Sequence, residues 1–242
     1  MRIADGTRIL AVLNGRDGLL EGFWGMQRRA FFARLVLGGF SAVTGPTFSI
    51  TSEERKPGSH NVCMLLRHHR VIEEIASTEL AAIPNIYWRS TDDAGRWTEW
   101  LEANPNVRVV SRDFSRTKDK RAFGSEMAGL LAILNSVSRP FHVVLVGVGP
   151  RKARDAMVEV GATGHTCSVV TAYPVLVAIK QGREIVRRGK TGFEAVYSPE
   201  RSRLDLAVRN IQTMEQYLCE NAPPGATAGD LSSNWIDEPT RD

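Results

Sequence analysis

Cysteine is scarce in this chain of 242 residues: Cys63, Cys167 and Cys219 are the only three, and no C-x-x-C occurs. That excludes a disulfide framework and a zinc ribbon, and a reducing cytoplasm is the expected location. No apolar run reaches the roughly 18–20 residues of a membrane span, so no membrane partner is expected. The opening MRIADGTRILAVLNG lacks a small-residue cleavage site, and no signal peptide is expected. The five histidines include no H-E-x-x-H. His68 and His69 are adjacent inside a predicted helix and point about 100° apart, so they do not form a metal face. No G-K-[ST] follows the glycine turn at Gly147, which excludes a Walker A loop. No metal and no cofactor are expected.

Arginine is abundant. The chain carries 31 Lys and Arg against 27 Asp and Glu, a formal net charge of +4. Residues 222–242 hold one Arg and four acids, which leaves 30 basic and 23 acidic residues, or +7, in residues 1–221. Of the basic residues 25 are Arg, whose rigid fork suits phosphate. A GC-rich genome enriches Arg as well, so the balance favours a polyanionic partner only modestly. The hydrophobic fraction of 43% and charged fraction of 24% belong to an ordinary globular protein.

Strand-like and helix-like segments alternate. Strands are predicted at 8–13, 40–44, 84–88, 107–111, 141–146 and 166–172, with a last one at 193–197. Helices are predicted at 19–37, 61–81, after Ser90-Thr91-Asp92-Asp93, and at 118–137. Further helices are expected after Pro150 with Gly161 as C-cap, at 174–188 and at 201–220. Regular alternation implies a parallel sheet in one α/β domain of residues 1–221, followed by a disordered acidic tail at 222–242. A TIM-like barrel that could be incomplete is favoured over a doubly wound sheet on length. Either fold places its site at the C-terminal strand ends.

The residues at those exits are therefore the candidates. Asp113, in SRDFSR between Arg112 and Arg116, is the first candidate catalytic carboxylate, with a cap or surface ion pair as its plain alternative. Asp17 is the second. Asn14 is a candidate for a base edge, and Asn14 and Asp17 are alternatively helix caps. Thr47, Phe48 and Ser49 form a possible binding lip in which Phe48 stacks on a flat ligand or fills the core. Trp88 and Arg89 follow the third strand, and core packing is the ordinary reading of the tryptophan. Gly147 and Gly149 of GVGP let backbone approach a ligand. Arg151, Lys152 and Arg154 crowd a positive helix end, a pattern that suits phosphate or a solvated turn. His165 and Cys167 share a strand face, which alone does not make a nucleophile pair. Arg183, Arg187, Arg188 and Lys190 are expected as a helix-end basic patch.

The stretch from Gly147-Val148-Gly149-Pro150 through Val160-Gly161, Thr166–Thr171 and Gly182 to Gly189-Lys190 resembles the late barrel units of tRNA-guanine transglycosylases and DNA deazaguanine transglycosylases. Thr44-Gly45-Pro46-Thr47-Phe48-Ser49 sits where that family has its base-binding D-S-G-G-F-Q loop. The acid of that loop is Thr44 here, and the position of the family's nucleophilic Asp is about Thr166. The family's C-terminal zinc motif is absent. IPNIYWRSTDD and VTGPTFS also resemble uncharacterised phage and plasmid proteins. The resemblance implies a barrel that binds a nucleobase and its phosphates. With the exchange nucleophile missing, the expected activity is cleavage of the N-glycosidic bond of a modified base, in DNA rather than RNA, in a host–phage setting. Two other classes stand beside it: a non-enzymatic nucleic-acid-binding accessory protein, and a barrel enzyme acting on a small phosphorylated metabolite. Sequence leaves the oligomeric state open.

Overall fold

The computed structural model describes residues 8–51, 59–117, 119–189 and 192–220. The tail expected at 222–242 and the patch member Lys190 lie outside them. The chain is α/β and divides into two compact units: Met1–Asp113 with Ala128–Phe141, and Phe114–Met127 with His142–Asp242.

In the first unit β1 (Ile9–Val12), β2 (Phe40–Thr44) and β3 (Ala81–Ile83) pair in chain order, all parallel. Parallel neighbours need long crossovers. These are α1 (Asp17–Gly25) with α2 (Arg28–Leu37), then α3 (Ser59–Ala76). After α4 (Thr91–Ala103), β4 (Val109–Asp113) joins at one parallel bridge, Asn85 with Ser111. The third strand was expected at 84–88. Pro84 has no N–H for a ladder, so the strand ends at Ile83 and pairing resumes only at Asn85.

One helix was expected over 19–37, and the structure breaks it at Met26-Gln27. In a straight helix residues 23 and 32 would stand about 13 Å apart along the axis. Here the Phe23 ring meets Phe31 at 5.6 Å and Phe32 at 6.2 Å, both edge-on. Folding α2 back buries Phe32 fully. Arg28 secures the bend by pairing with Glu74 at 2.6 Å and donating to the Trp24 carbonyl. On α3 the buried residues Met64, Leu65, His68, Val71, Ile72 and Ile75 follow helical spacing, and Met64, Val71, Ile72 and Ile75 share a core with Val43 and Leu80. Helix α4 starts as its sequence predicts: Ser90 and Asp93 form a reciprocal capping box.

In the second unit β5 (His142–Val146) and β6 (Thr166–Val170) are parallel neighbours joined through α6 (Pro150–Ala162). Helix α5 (Lys120–Asn135) contains the division at Met127 and Ala128. Gly161 was expected to cap α6. The helix runs past it to Ala162, and Gly164 takes the left-handed conformation instead, at φ 79°.

The helix expected at 174–188 is corrected more deeply. Only α7 (Tyr173–Leu176), continued by a wide π turn at Val177–Gln181, is helical. Gly182 then turns left-handed at φ 65° and ends it. REIVRR becomes β7 (Arg183–Arg188), antiparallel to β8 (Gly192–Tyr197). The expected helix-end patch is therefore a hairpin. Arg187 pairs with Glu220 and Arg188 with Glu194, each at 2.6 Å. Helix α8 (Arg203–Glu220) closes the described chain. Among the described residues no helix is long and apolar enough to cross a membrane.

Candidate active site

The parallel strands of the first unit deliver their loops to one edge. Asn14 lies just beyond β1, and Asp113 ends β4. The Asn14 carboxamide donates from Nδ2 to Asp113 Oδ2 at 3.2 Å. In a flat sheet three strand spacings would separate the two strands by about 14 Å. Two side chains this short and a hydrogen bond span about 10 Å at most. The loop after β1 and the end of β4 therefore lie close together within this unit.

Beside that pair, Ser49 Oγ donates to Asp17 Oδ1 at 2.6 Å, and His60 Nε2 lies 3.1 Å from the Ser49 carbonyl. The capping alternative for Asn14 and Asp17 does not hold. Arg16 is the N-cap of α1 with no side-chain bond, Asp17 is already in the first turn, and Asn14 reaches Asp113. Thr44, at the acid position of the resembling loop, is buried and accepts the Leu13 amide at 3.0 Å.

Thr47 accepts from Asn85 Nδ2. Asn85 heads a buried polar network that sequence reasoning missed. Its Oδ1 accepts from Ser111 Oγ at 3.4 Å, and its backbone N–H donates to His68 Nε2 at 3.3 Å. His68 Nδ1 lies 2.7 Å from the Pro46 carbonyl, which can only accept. Those two partners fix a neutral ring with its proton on Nδ1. Burial pushes His68 down to about 3. The only sequence signal was a proline followed by a polar residue inside an apolar run, at Pro84-Asn85.

Phe48 is 1% exposed and meets Trp24 edge-on at 5.8 Å. It fills the core and offers no face to a ligand, so its place on the binding lip is withdrawn. Trp88 is half-buried, with the Arg112 guanidinium 4.4 Å over its ring and Gly129 leaving room at its edge. Arg112 also donates to the Ile86 carbonyl at 2.9 Å. Neighbouring strand residues point to opposite faces, and the Arg112 guanidinium lies over Trp88. Arg116 belongs to the other unit. The Arg89 side chain is exposed, and its amide donates to Asp93.

The glycine turn lies in the second unit. Pro150 takes the first helical position and Gly149 the N-cap. Gly147 is left-handed at φ 75°, and a Cβ there would come within 2.7 Å of the Ser115 backbone. The close approach it permits is that of the protein's own chain. Gly147→Ala is expected to lower stability by about 1–3 kcal/mol, read as a lower urea midpoint at unchanged m. Gly149, with open space at its Cβ, should cost about 1 kcal/mol or less as Gly149→Ala. The crowding of cations on α6 does not by itself demand an anion. Lys152 Nζ donates to the Thr117 carbonyl at 3.0 Å and the Asp119 carbonyl at 3.3 Å, and Arg154 pairs with Asp155 at 2.6 Å. Of the three, only Arg151 is exposed, and the other two are half-buried.

Cys167 is not an activated thiol. Burial pushes it up to about 12, whereas a nucleophilic cysteine is lowered. Thr166, at the resembling family's nucleophile position, opens β6 at its N-terminal end and lies 2.9 Å from His142 Nδ1. It is remote from the exit of its own strand. Among the described residues no group of three or more His, Cys, Asp or Glu is placed to hold a metal ion. No family model matches this chain, and no curated protein matches it.

Proposed function

We propose that this chain is a base glycosylase that cleaves the N-glycosidic bond of a modified base in DNA, on an incomplete barrel of the TIM type. The carrying observation is the half-buried Asp113 carboxylate held by Asn14 where β1 and β4 converge. A carboxylate fixed at a C-terminal strand edge is placed as barrel enzymes place their catalytic groups. Chain-order pairing of β1, β2 and β3, without the reversal of a doubly wound sheet, supports the barrel. So does the approach of the β1 and β4 exits.

In the reaction the C–N bond to the sugar breaks and its electron pair leaves with the base. A water oxygen bonds to the anomeric carbon, and one of its protons goes to the departing base. Asp113 would face the positive charge growing on the sugar, and Asn14 would hold that carboxylate in register. Asp17, oriented by Ser49, is the second carboxylate and a candidate contact for the base edge. Thr47, Trp88 and Arg89 line neighbouring exits. Arg151 is the remaining phosphate candidate of the α6 turn.

The test is release of free base, and of alkali-labile sites, from phage DNA carrying modified bases beside unmodified DNA. Release from modified DNA alone is expected. No release from any modified DNA, with salt-sensitive binding intact, would replace this reading with the binding-protein one. On the same reading Arg151→Ala should reduce the salt slope of DNA binding by about 1. An unchanged slope would remove the α6 turn from the interface.

A further inference from the structure

We infer that Asn61 is a positioning residue for the proposed site: with Asp93 it braces the exits of β2 and β3 and holds Ser49 against Asp17. The inference rests on the proposed function, because it concerns how that site is set. Ser49 is exposed and lies beyond β2, outside any helix or strand. A hydroxyl on such a segment stays aimed at a carboxylate only where the backbone beneath it is tied to a rigid element.

The first turn of α3 ties it at two points. His60 Nε2 donates to the Ser49 carbonyl at 3.1 Å. Asn61 bonds both backbone groups of Thr51: Oδ1 accepts the N–H and Nδ2 donates to the carbonyl, each at 3.0 Å. Nδ2 also donates to Asp93 Oδ2 at 3.3 Å. Asp93 is 1% exposed. The same Oδ2 accepts the Arg89 and Ser90 amides at 3.1 and 3.2 Å, and Oδ1 accepts from Arg96 at 3.1 Å. The bracket therefore runs from the β2 exit through Asn61 to the residues that follow Trp88.

The chemistry of the three partners calls for a carboxamide. The Thr51 N–H needs an acceptor, while the Thr51 carbonyl and the Asp93 carboxylate need donors, and asparagine offers both on a short stem. A carboxylate at position 61 would face an acceptor on one side and a buried like charge on the other. Helix α3 packs through Met64, Leu65 and His68, so losing the Asn61 side chain frees the loop and leaves the helix in place.

The experiment measures base release from modified phage DNA, with KM and kcat resolved, in the full chain and in Asn61→Ala. Asp93 keeps its other three donors in that variant, and the circular dichroism spectrum should be kept. KM should rise about tenfold with kcat nearly unchanged, because a displaced Asp17 loses a contact to the bound base. His60→Ala, which loosens the same loop at Ser49 itself, is the second variant should Asn61→Ala not fold. Ser49→Ala removes the hydroxyl that the bracket serves. Combined with Asn61→Ala it should raise KM no further than the larger single effect, since both act through one contact. The effects of Asn14→Ala and Asn61→Ala, on separate carboxylates, should multiply. A merely structural role would lower the Tm and multiply with Ser49→Ala as well. Unchanged KM in both loop variants, or full multiplication with Ser49→Ala, overturns the positioning role and leaves the glycosylase reading standing. Absence of base release by the wild type overturns that reading, and the positioning role with it.

Discussion

Asp113→Asn is expected to lower base release about 10²–10⁴-fold, the range for loss of a positioned acid or base, with folding and DNA binding unchanged. The substitution keeps shape and volume and removes the negative charge. Asn14 can still bond to position 113, because a carboxamide offers an acceptor oxygen as the carboxylate did. The site therefore stays assembled, and the loss isolates the charge. That charge matters only when the base departs and the sugar becomes oxocarbenium-like, so the loss should fall on kcat rather than on binding. Asn14→Ala should cost less, since it frees the carboxylate's orientation and keeps its charge. Asp17→Asn serves as the comparison, because Ser49 Oγ can still donate to the amide oxygen. Full activity in Asp113→Asn, with activity lost in Asp17→Asn, would transfer the catalytic role to Asp17. Full activity in both would remove the strand-exit carboxylates from the chemistry.

The sequence carried the strand exits better than it carried what surrounds them. Alternation of apolar strands and amphipathic helices is a local signal, and β2, β5, β6, α4 and α6 lie close to where it puts them. Asn14, Asp17, Ser49 and Asp113 were legible because the exit rule needs only the end of each strand. Their pairing was not, since Asn14 and Asp113 are 99 residues apart and meet only through the tertiary fold. REIVRR was misread because its period is ambiguous over six residues. Long-range pairing with β8, and the left-handed Gly182, decided it. The crowding on α6 misled for a related reason. Adjacent cations in sequence look unpaired, yet Lys152 finds carbonyls on the loop before α5. Phe48 and Arg112 show the same limit. Each stands at an exit in the chain, and each turns into the interior because a ring there accepts it. A buried network such as His68, Asn85 and Ser111 leaves almost no trace in one sequence. Its members are common polar residues whose partners lie on three different elements.

Acidification from pH 7 to pH 5 is expected to remove about 4 kcal/mol of stability through two adjacent histidines. Burial is the main cause of both shifts. It holds His68 at about 3, where the Pro46 carbonyl opposes the shift and His69 adds to it. It holds His69 at about 4, where Glu73 opposes it. Tyr87 and Trp97 pack edge-on against His68, and Trp97 and Trp100 against His69, with Trp100 stacked at 4.8 Å. The folded rings stay neutral while the unfolded chain takes up protons below about 6.5. The unfolded state then binds more protons, so stability is complete above pH 6.5 and falls with decreasing pH, by up to about 1.4 kcal/mol per histidine per pH unit. The loss from His69 ends near pH 4 and that from His68 near pH 3. His142 and His165, also lowered by burial, act in the same direction. Glu74, lowered mainly by its hydrogen bond from Arg28, contributes a loss that starts only below its ordinary value of 4.5, so the window from pH 6.5 to 5 belongs to the histidines. Total stabilities of about 5–15 kcal/mol make a loss of this size visible as a Tm falling steeply over that window. His69→Phe separates the contributions. It keeps a flat ring against Trp100, removes the buried and unpartnered Nδ1, and should take away about 2 kcal/mol of the pH-dependent loss. A Tm as flat in the wild type as in His69→Phe between pH 7 and 5 would mean that the His68–His69 cluster is hydrated or already protonated in the folded chain.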